Sequence, residues 1–170
     1  MSSDARSIAD RLVGLRLPSV SLATAESHLD LAQHASLYPL VVYFYPGHIG
    51  PGDSGEHVLL ADGMQHRAFR DHQIALDARG YRALGVSSEP QEAQWTSSVV
   101  EGLPHTLLSD PELLIAQALK LPTRTLDGMD CYERLTLIVA GGVIAKAFYP
   151  VSSPHRNPEQ VIAWMQVQGI

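Results

Sequence analysis

Asp62 and His66 stand four residues apart, a spacing that places two side chains on one face of a helix. A carboxyl and an imidazole in that relation can pass a proton, one serving as base and the other as acid. His48, Asp53, Glu56 and His57 lie just upstream, in a Gly/Pro-rich stretch that follows an apolar run. Loops of this kind, held by a rigid scaffold, are where ionisable groups tend to act. Arg134 opens a second apolar run, Leu135 to Val139, and a guanidinium is expensive to bury there without an anion beside it. Tyr45 and Tyr132 can bring hydroxyls to the same pocket and Gln65 an amide. The catalytic candidates are therefore Asp62, His66, His48 and Asp53. The binding candidates are Arg134, Gln65, Tyr45, Tyr132 and His57.

Each has a plainer reading. Asp62-Gly-Met-Gln65 matches a helix capping box, which would occupy Asp62 and Gln65 with backbone. His66 can be a satisfied histidine, the loop groups solvated, the tyrosines core, and Arg134 paired with Glu133 or another carboxylate. Two histidines and two carboxylates without a tight ligand pattern do not define a metal site, so no metal and no cofactor are expected.

The elements that must position these groups follow from periodicity and punctuation. Residues 4–13 carry Ile8, Leu12 and Val13 at helical spacing and form a lead-in helix within residues 1–16. Val20 to Leu22 and Ser27 to Asp30 are short strands, and Leu40 to Tyr45 is a buried one, ended by Pro46-Gly47. Residues 46–61 read as a long loop. A helix starts at Asp62, with Met64, Ala68, Phe69, Ala75 and Leu76 on its apolar face, and ends at Gly80. Then come a strand (Tyr81 to Val86), a helix (Pro90 to Val100) and a brief strand (Thr106 to Leu108). Asp110-Pro111-Glu112 opens a helix, with aspartate as cap and proline at its first position. Leu135 to Val139 and Val143 to Tyr149 form a hairpin about Gly141-Gly142, and Asn157-Pro-Glu-Gln160 is a second capping box before the last helix. Strands joined through helices should be parallel and the final pair antiparallel, which gives an α/β mixed sheet flanked by helices.

Composition narrows the partners. The chain has 170 residues, enough for one domain (1–170) with a substantial core. Its formal charge is −6 and it has no Lys/Arg cluster, so nucleic acid is not an expected partner. Apolar runs are strand-sized, which argues against a membrane span, and the polar start lacks a secretory h-region. A single cysteine, Cys131, leaves no internal disulfide framework and suits a reducing cytoplasm.

The segments also resemble a known family in their order. Val41-Val-Tyr-Phe-Tyr-Pro46, Phe69-Arg70-Asp71, Leu84-Gly-Val-Ser-Ser88 with Trp95, Leu107-Leu-Ser-Asp110, Arg134-Leu-Thr-Leu-Ile138 and Gly141-Gly142 together resemble peroxiredoxins, closest to the Q (bacterioferritin-comigratory) type. The resemblance implies a thioredoxin-like fold in its peroxiredoxin variant, a homodimer, and thiol peroxidase chemistry. The peroxidatic cysteine itself is missing. Counted from Pro46 its position falls on Asp53; counted back from Phe69-Arg70-Asp71 it falls on Asp62, the preferred choice because helix phase fixes position better than loop length. A carboxylate cannot pass through the sulfenic acid that peroxide reduction requires. Three functions remain open: a non-redox enzyme doing acid–base chemistry on a small polar or anionic molecule in the former peroxide pocket, a binding or regulatory module, and a thiol oxidoreductase using Cys131. Strand alternation from Arg134 puts Tyr132 on the pocket face and Cys131 on the other, which disfavours the last.

Overall fold

A computed structural model describes residues 3–47 and 53–170, with the side chains of residues 53–56 also outside the description. The elements are α1 (Ser3–Leu12), β1 (Ser21–Ala23), β2 (His28–Asp30), α2 (Leu31–Leu37), β3 (Leu40–Phe44), α3 (Asp53–Asp71), α4 (Gln73–Asp77), β4 (Arg82–Ser87), α5 (Gln91–Glu101), β5 (Thr106–Ser109), α6 (Leu114–Leu119), β6 (Thr123–Leu126), β7 (Met129–Tyr132), β8 (Leu135–Ala140), β9 (Val143–Phe148) and α7 (Asn157–Gln168). Seven strands form one sheet in the order β2-β1-β5-β4-β3-β8-β9, and β6 with β7 make a separate hairpin. Strands β3, β4 and β5 run parallel, while β8 and β9 are antiparallel, as the connections required.

Strand β3 is buried along its whole length and divides the core by alternation. Leu40, Val42 and Phe44 face a layer built with Leu12, Leu31, Ile115 and Tyr132. Val41, Tyr43 and Tyr45 face a layer built with Phe69, Leu76, Val161 and Met165, which come from α3, α4 and α7.

Helix α3 departs most from the expectation. It begins at Asp53, so residues 53–61 are helical and not part of a loop running to 61. Asp62 is therefore not an N-cap; it lies nine residues into the helix, roughly 13 Å along its axis. The face α3 buries is Val58, Asp62, Gln65, His66 and Phe69, while Met64 is 40% exposed. That stripe has helical spacing but is mostly polar, so a hydrophobic-period reading misses it. The helix breaks at His72, and Gly80 then takes a left-handed φ of 75° after α4.

Two caps were misplaced in a similar way. Asn157 does not cap α7: it is the helix's first residue, fully buried, and its Oδ1 accepts from Thr136 and Gln65. Asp110 does cap a helix, but α6 starts at Leu114, and the carboxylate accepts the Leu114 and Ile115 N–H groups. Helix α2 and the β6–β7 hairpin were not foreseen.

Candidate functional site

Arg134 lies between β7 and β8, where it meets the middle of α3. Its Nη2 is 2.6 Å from Oδ1 of Asp62, and its Nη1 donates to Oε1 of Gln65 at 2.9 Å. Gln65 in turn donates to Asn157 Oδ1, which also accepts from Thr136 at 2.7 Å, so the arginine is tied to α3, α7 and β8 at once. The guanidinium thus faces the middle of α3 rather than its N-terminus.

Asp62 is 2% exposed. Neither of its oxygens meets a donor in strict hydrogen-bond alignment, although Arg134 is at 2.6 Å and the Gly47 N–H also faces the carboxylate. We read the Arg134 contact as an ion pair, because misalignment weakens a hydrogen bond far more than it weakens a charge attraction. Gly47 can approach this closely because its φ is 73° and a Cβ would come within 3.2 Å of Glu89. Burial pushes the Asp62 carboxyl up to about 7; Arg134 opposes that rise and the nearby Glu89 adds to it.

Glu89, at the start of the turn into α5, is also buried. Its Oε1 accepts from the Tyr45 hydroxyl at 2.8 Å and from Ser87 Oγ at 3.1 Å. The Tyr45 ring meets His66 edge-on at 4.6 Å. The Tyr43 ring stacks on Phe69 at 4.4 Å, and its hydroxyl joins His66 Nδ1 at 2.8 Å and His105 Nε2 at 2.7 Å. Burial, then the charges of Asp62 and Glu89, holds the Tyr43 hydroxyl well above its ordinary value, so it keeps its proton. Burial lowers His66 to about 3 and His105 to about 4, so both are neutral imidazoles at neutral pH. Asp62, His66 and Glu89 line one cavity of about 320 Å³ between α3 and α5, with Leu59, Leu60 and Val100 exposed at its rim.

The structure thus brings together Asp62, His66, Gln65, Arg134 and, through Glu89, Tyr45. Tyr132 is elsewhere. It lies on the opposite face of the sheet against Phe44, where it donates to Asp110 at 2.6 Å and accepts from Ala116 N–H. Its alternation with Arg134 fails because β7 ends at Tyr132 and β8, in another sheet, begins at Leu135. His57 is exposed on α3. His48 and the side chain of Asp53 lie outside the described residues; Asp53 is the first residue of α3. Cys131 is buried in β7, its register partner is Arg124, and burial pushes its thiol up while Arg124 opposes. Sequence reasoning missed Glu89, Tyr43 and His105. Only the Ser-Ser-Glu-Pro turn after a buried strand gave any hint of the first.

A mixed sheet with this order, carrying a half-buried arginine that faces the helix after β3, defines a thioredoxin-like protein of the peroxiredoxin class. The redoxin family model matches residues 12–162, and the chain belongs to that family. It is 26% identical over 131 residues to the chloroplastic peroxiredoxin Q of Sedum lineare, a match that spans 75% of this chain and 63% of that protein's length. Among solved structures it is similar to PrxQ of Xylella fastidiosa, with a TM-score of 0.76, 19% identity, and 93% and 97% of the two chains covered. It is similar as well to the bacterioferritin comigratory protein of Xanthomonas campestris, with a TM-score of 0.74, 22% identity, and 93% and 99% covered. A third similar structure is peroxidoxin BcpB of Mycobacterium tuberculosis, with a TM-score of 0.75, 18% identity, and 91% and 96% covered. Among the described residues no helix is long and apolar enough to cross a membrane.

Proposed function

We propose that this redoxin works without a thiol peroxidase cycle, as a protein that binds a small molecule in the cavity between α3 and α5. The observation that carries the reading is the double position of Asp62: it pairs with the half-buried Arg134 and it lines the cavity beside His66 and Glu89. The Asp62 carboxylate already offsets the charge of Arg134, so of the small polar or anionic molecules expected from the sequence this cavity favours the polar, uncharged ones. The cavity offers a carboxyl pair and a neutral imidazole beneath an apolar rim. It therefore suits a molecule with a short apolar body and a neutral head that donates hydrogen bonds, such as an amide or alcohol. The alkyl peroxide reduction named for the Xanthomonas campestris protein is not carried over, because the chain's single sulfur-bearing cysteine is the buried Cys131.

A second reading, acid–base catalysis on the same molecule, is favoured by one observation. A carboxyl held up to about 7 is poised to take and return a proton at neutral pH. The test is a thermal-shift screen of short-chain amides and alcohols on wild type and on Val100→Trp, which narrows the rim without touching the buried groups. A ligand at a hundredfold its dissociation constant should stabilise wild type by about 2.7 kcal/mol, and Val100→Trp should lose that gain. Equal shifts in both proteins would remove the cavity as the binding site. Chemical conversion of a bound compound, abolished by Asp62→Asn, would promote the enzyme.

A further inference from the structure

A second, larger cavity of about 580 Å³ lies between the β1–β2 hairpin, α2, α5 and β5. Its lining holds the carboxylates of Glu26 and Asp30 and no lysine or arginine. The Gln33 N–H, then the Ser19 hydroxyl, keep Asp30 below the usual carboxylate range, so it is charged. Burial, with Arg82 adding to it, lowers His34, and burial lowers His105, so neither imidazole supplies a compensating cation at neutral pH. His28, exposed on β2, is the other titratable group of the lining.

Two side chains of this lining are more than nine-tenths buried and carry an unpartnered polar atom. Gln94, 2% exposed, uses its amide N–H groups on Ser87 Oγ at 3.0 Å and Leu108 O at 2.6 Å, which leaves Oε1 without a donor. His105, 7% exposed, is bound through Nε2 to Tyr43, which leaves Nδ1 without a partner. Buried polar atoms are rarely left in this state. Trp95, 55% exposed, stands at the same cavity with its ring available to a cation. The open Gln94 acceptor, a His105 nitrogen that accepts in one of its two tautomers, two carboxylates and an exposed indole all call for one kind of ligand, positively charged and rich in N–H donors.

We propose that this cavity is a second binding site, specific for a small molecule bearing primary ammonium groups, and that His105–Tyr43–His66 reports its occupancy to the first cavity. The report follows from counting protons. The single Tyr43 hydroxyl proton can go to His66 or to His105, not to both. A ligand N–H donated to His105 Nδ1 requires the proton of that ring to sit on Nε2, from which it is donated to Tyr43. Tyr43 must then donate to His66 Nδ1, and His66 carries its own proton on Nε2. In the opposite arrangement His105 is protonated on Nδ1 and His66 on Nδ1. Passing from that state to the ligand-bound one releases one proton from His105 Nδ1 to water and takes one from water at His66 Nε2. No charge changes, yet a side chain lining the α3–α5 cavity turns from acceptor to donor there. Coupling of this kind is reciprocal: a molecule that needs a donor from His66 favours ammonium binding at the other site.

The test uses the full chain, 15N-labelled, with 1,4-diaminobutane as probe and 1,4-butanediol as its uncharged match. Calorimetry should show saturable binding of the diamine, at least tenfold tighter than the diol, and a tenfold or greater loss in the Glu26→Gln/Asp30→Asn double variant. In the imidazole 15N spectra, the diamine should move His105 Nδ1 toward the unprotonated region and His66 Nε2 toward the protonated one. Tyr43→Phe, which keeps the ring that stacks on Phe69, should retain the His105 response and lose that of His66. The site is overturned by absence of saturable binding, by a diol that binds as well as the diamine, or by undiminished binding in the double variant. The coupling is overturned if His66 responds equally in Tyr43→Phe. Every readout is taken with no ligand added for the first cavity, so a failure of the binding proposed there would leave them unchanged.

Discussion

Asp62 is held between two opposing demands. Removal from water favours the neutral acid; Arg134 at 2.6 Å favours the carboxylate. Burial outweighs the arginine here, since the carboxyl rises from 3.8 to about 7. The sign of the pH effect follows. A carboxyl whose folded-state pKa is raised holds its proton more tightly in the folded chain, so its stabilising contribution is full below the unfolded value. That contribution is lost as pH rises toward 7. Wild type should therefore lose on the order of 2 kcal/mol of stability between pH 5 and pH 7 from this group. Asp62→Asn keeps a polar partner for Arg134 and should flatten that interval, leaving the variant more stable than wild type at pH 8. Urea denaturation at the three pH values measures it. A wild-type protein that gains stability across the interval would show that the ion pair dominates and that Asp62 is an ordinary carboxylate. His66 and Tyr43 sit in the same buried network, so their single substitutions should not be additive with Asp62→Asn.

Elements explain why part of this was readable in advance. Strand β3 announced itself through six consecutive β-branched, aromatic and aliphatic residues, Leu40 to Tyr45, and Gly141-Gly142 announced the β8–β9 turn. Arg134 was legible because a cation before an apolar strand needs a partner, and the partner proved to be a carboxylate. Helix α3 was not legible in its first half. Between Val58 and Phe69 its buried stripe is Asp62, Gln65 and His66, so the pattern that normally marks a helix face was written mostly in polar residues, and Pro51-Gly52 with Gly55 suggested a loop. Long-range partners such as Glu89 and His105 leave no local trace, because they are brought to α3 by the sheet. Two substitutions test this account of the elements. At Gly85 on β4 a Cβ would lie 2.8 Å from Tyr43 Cζ and 2.6 Å from Leu107 Cδ2. Gly85→Ala should thus cost about 1–3 kcal/mol by overpacking and displace the Tyr43 hydroxyl from its histidines, seen as lost imidazole coupling by NMR. Asp110→Ala removes the cap of α6 and leaves the buried Tyr132 hydroxyl proton without its acceptor, for roughly 2–4 kcal/mol. Tyr132→Phe should cost less, because the carboxylate still caps. Equal losses would mean the cap contributes little.

At the scale of the molecule, the family's fold is kept in a chain whose single cysteine is Cys131. TM-scores of 0.74–0.76 to peroxiredoxins at 18–22% identity mean the sheet, its strand order and the flanking helices are retained. Catalysis by thiol requires much more than the fold: a thiolate, accessible, beside a group that stabilises its charge. Of these conditions Cys131 meets only the last, through Arg124 across the hairpin. It is buried, its thiol is pushed above the ordinary value by burial, and it sits on the β6–β7 hairpin rather than on α3. Arg134, the arginine that faces α3, is engaged by Asp62. We therefore expect no consumption of hydrogen peroxide or an organic hydroperoxide by the purified protein with thioredoxin or dithiothreitol as reductant, followed by loss of peroxide absorbance or by a peroxide dye. Cys131→Ser should leave that baseline unchanged, and should shift stability only by the small amount that a buried thiol-to-hydroxyl exchange brings. The reciprocal change is the sharper test. Peroxide turnover at enzymatic rates in wild type, abolished by Cys131→Ser, would show that the hairpin opens to expose the thiol, and would return the protein to redox chemistry by a route the folded structure does not display.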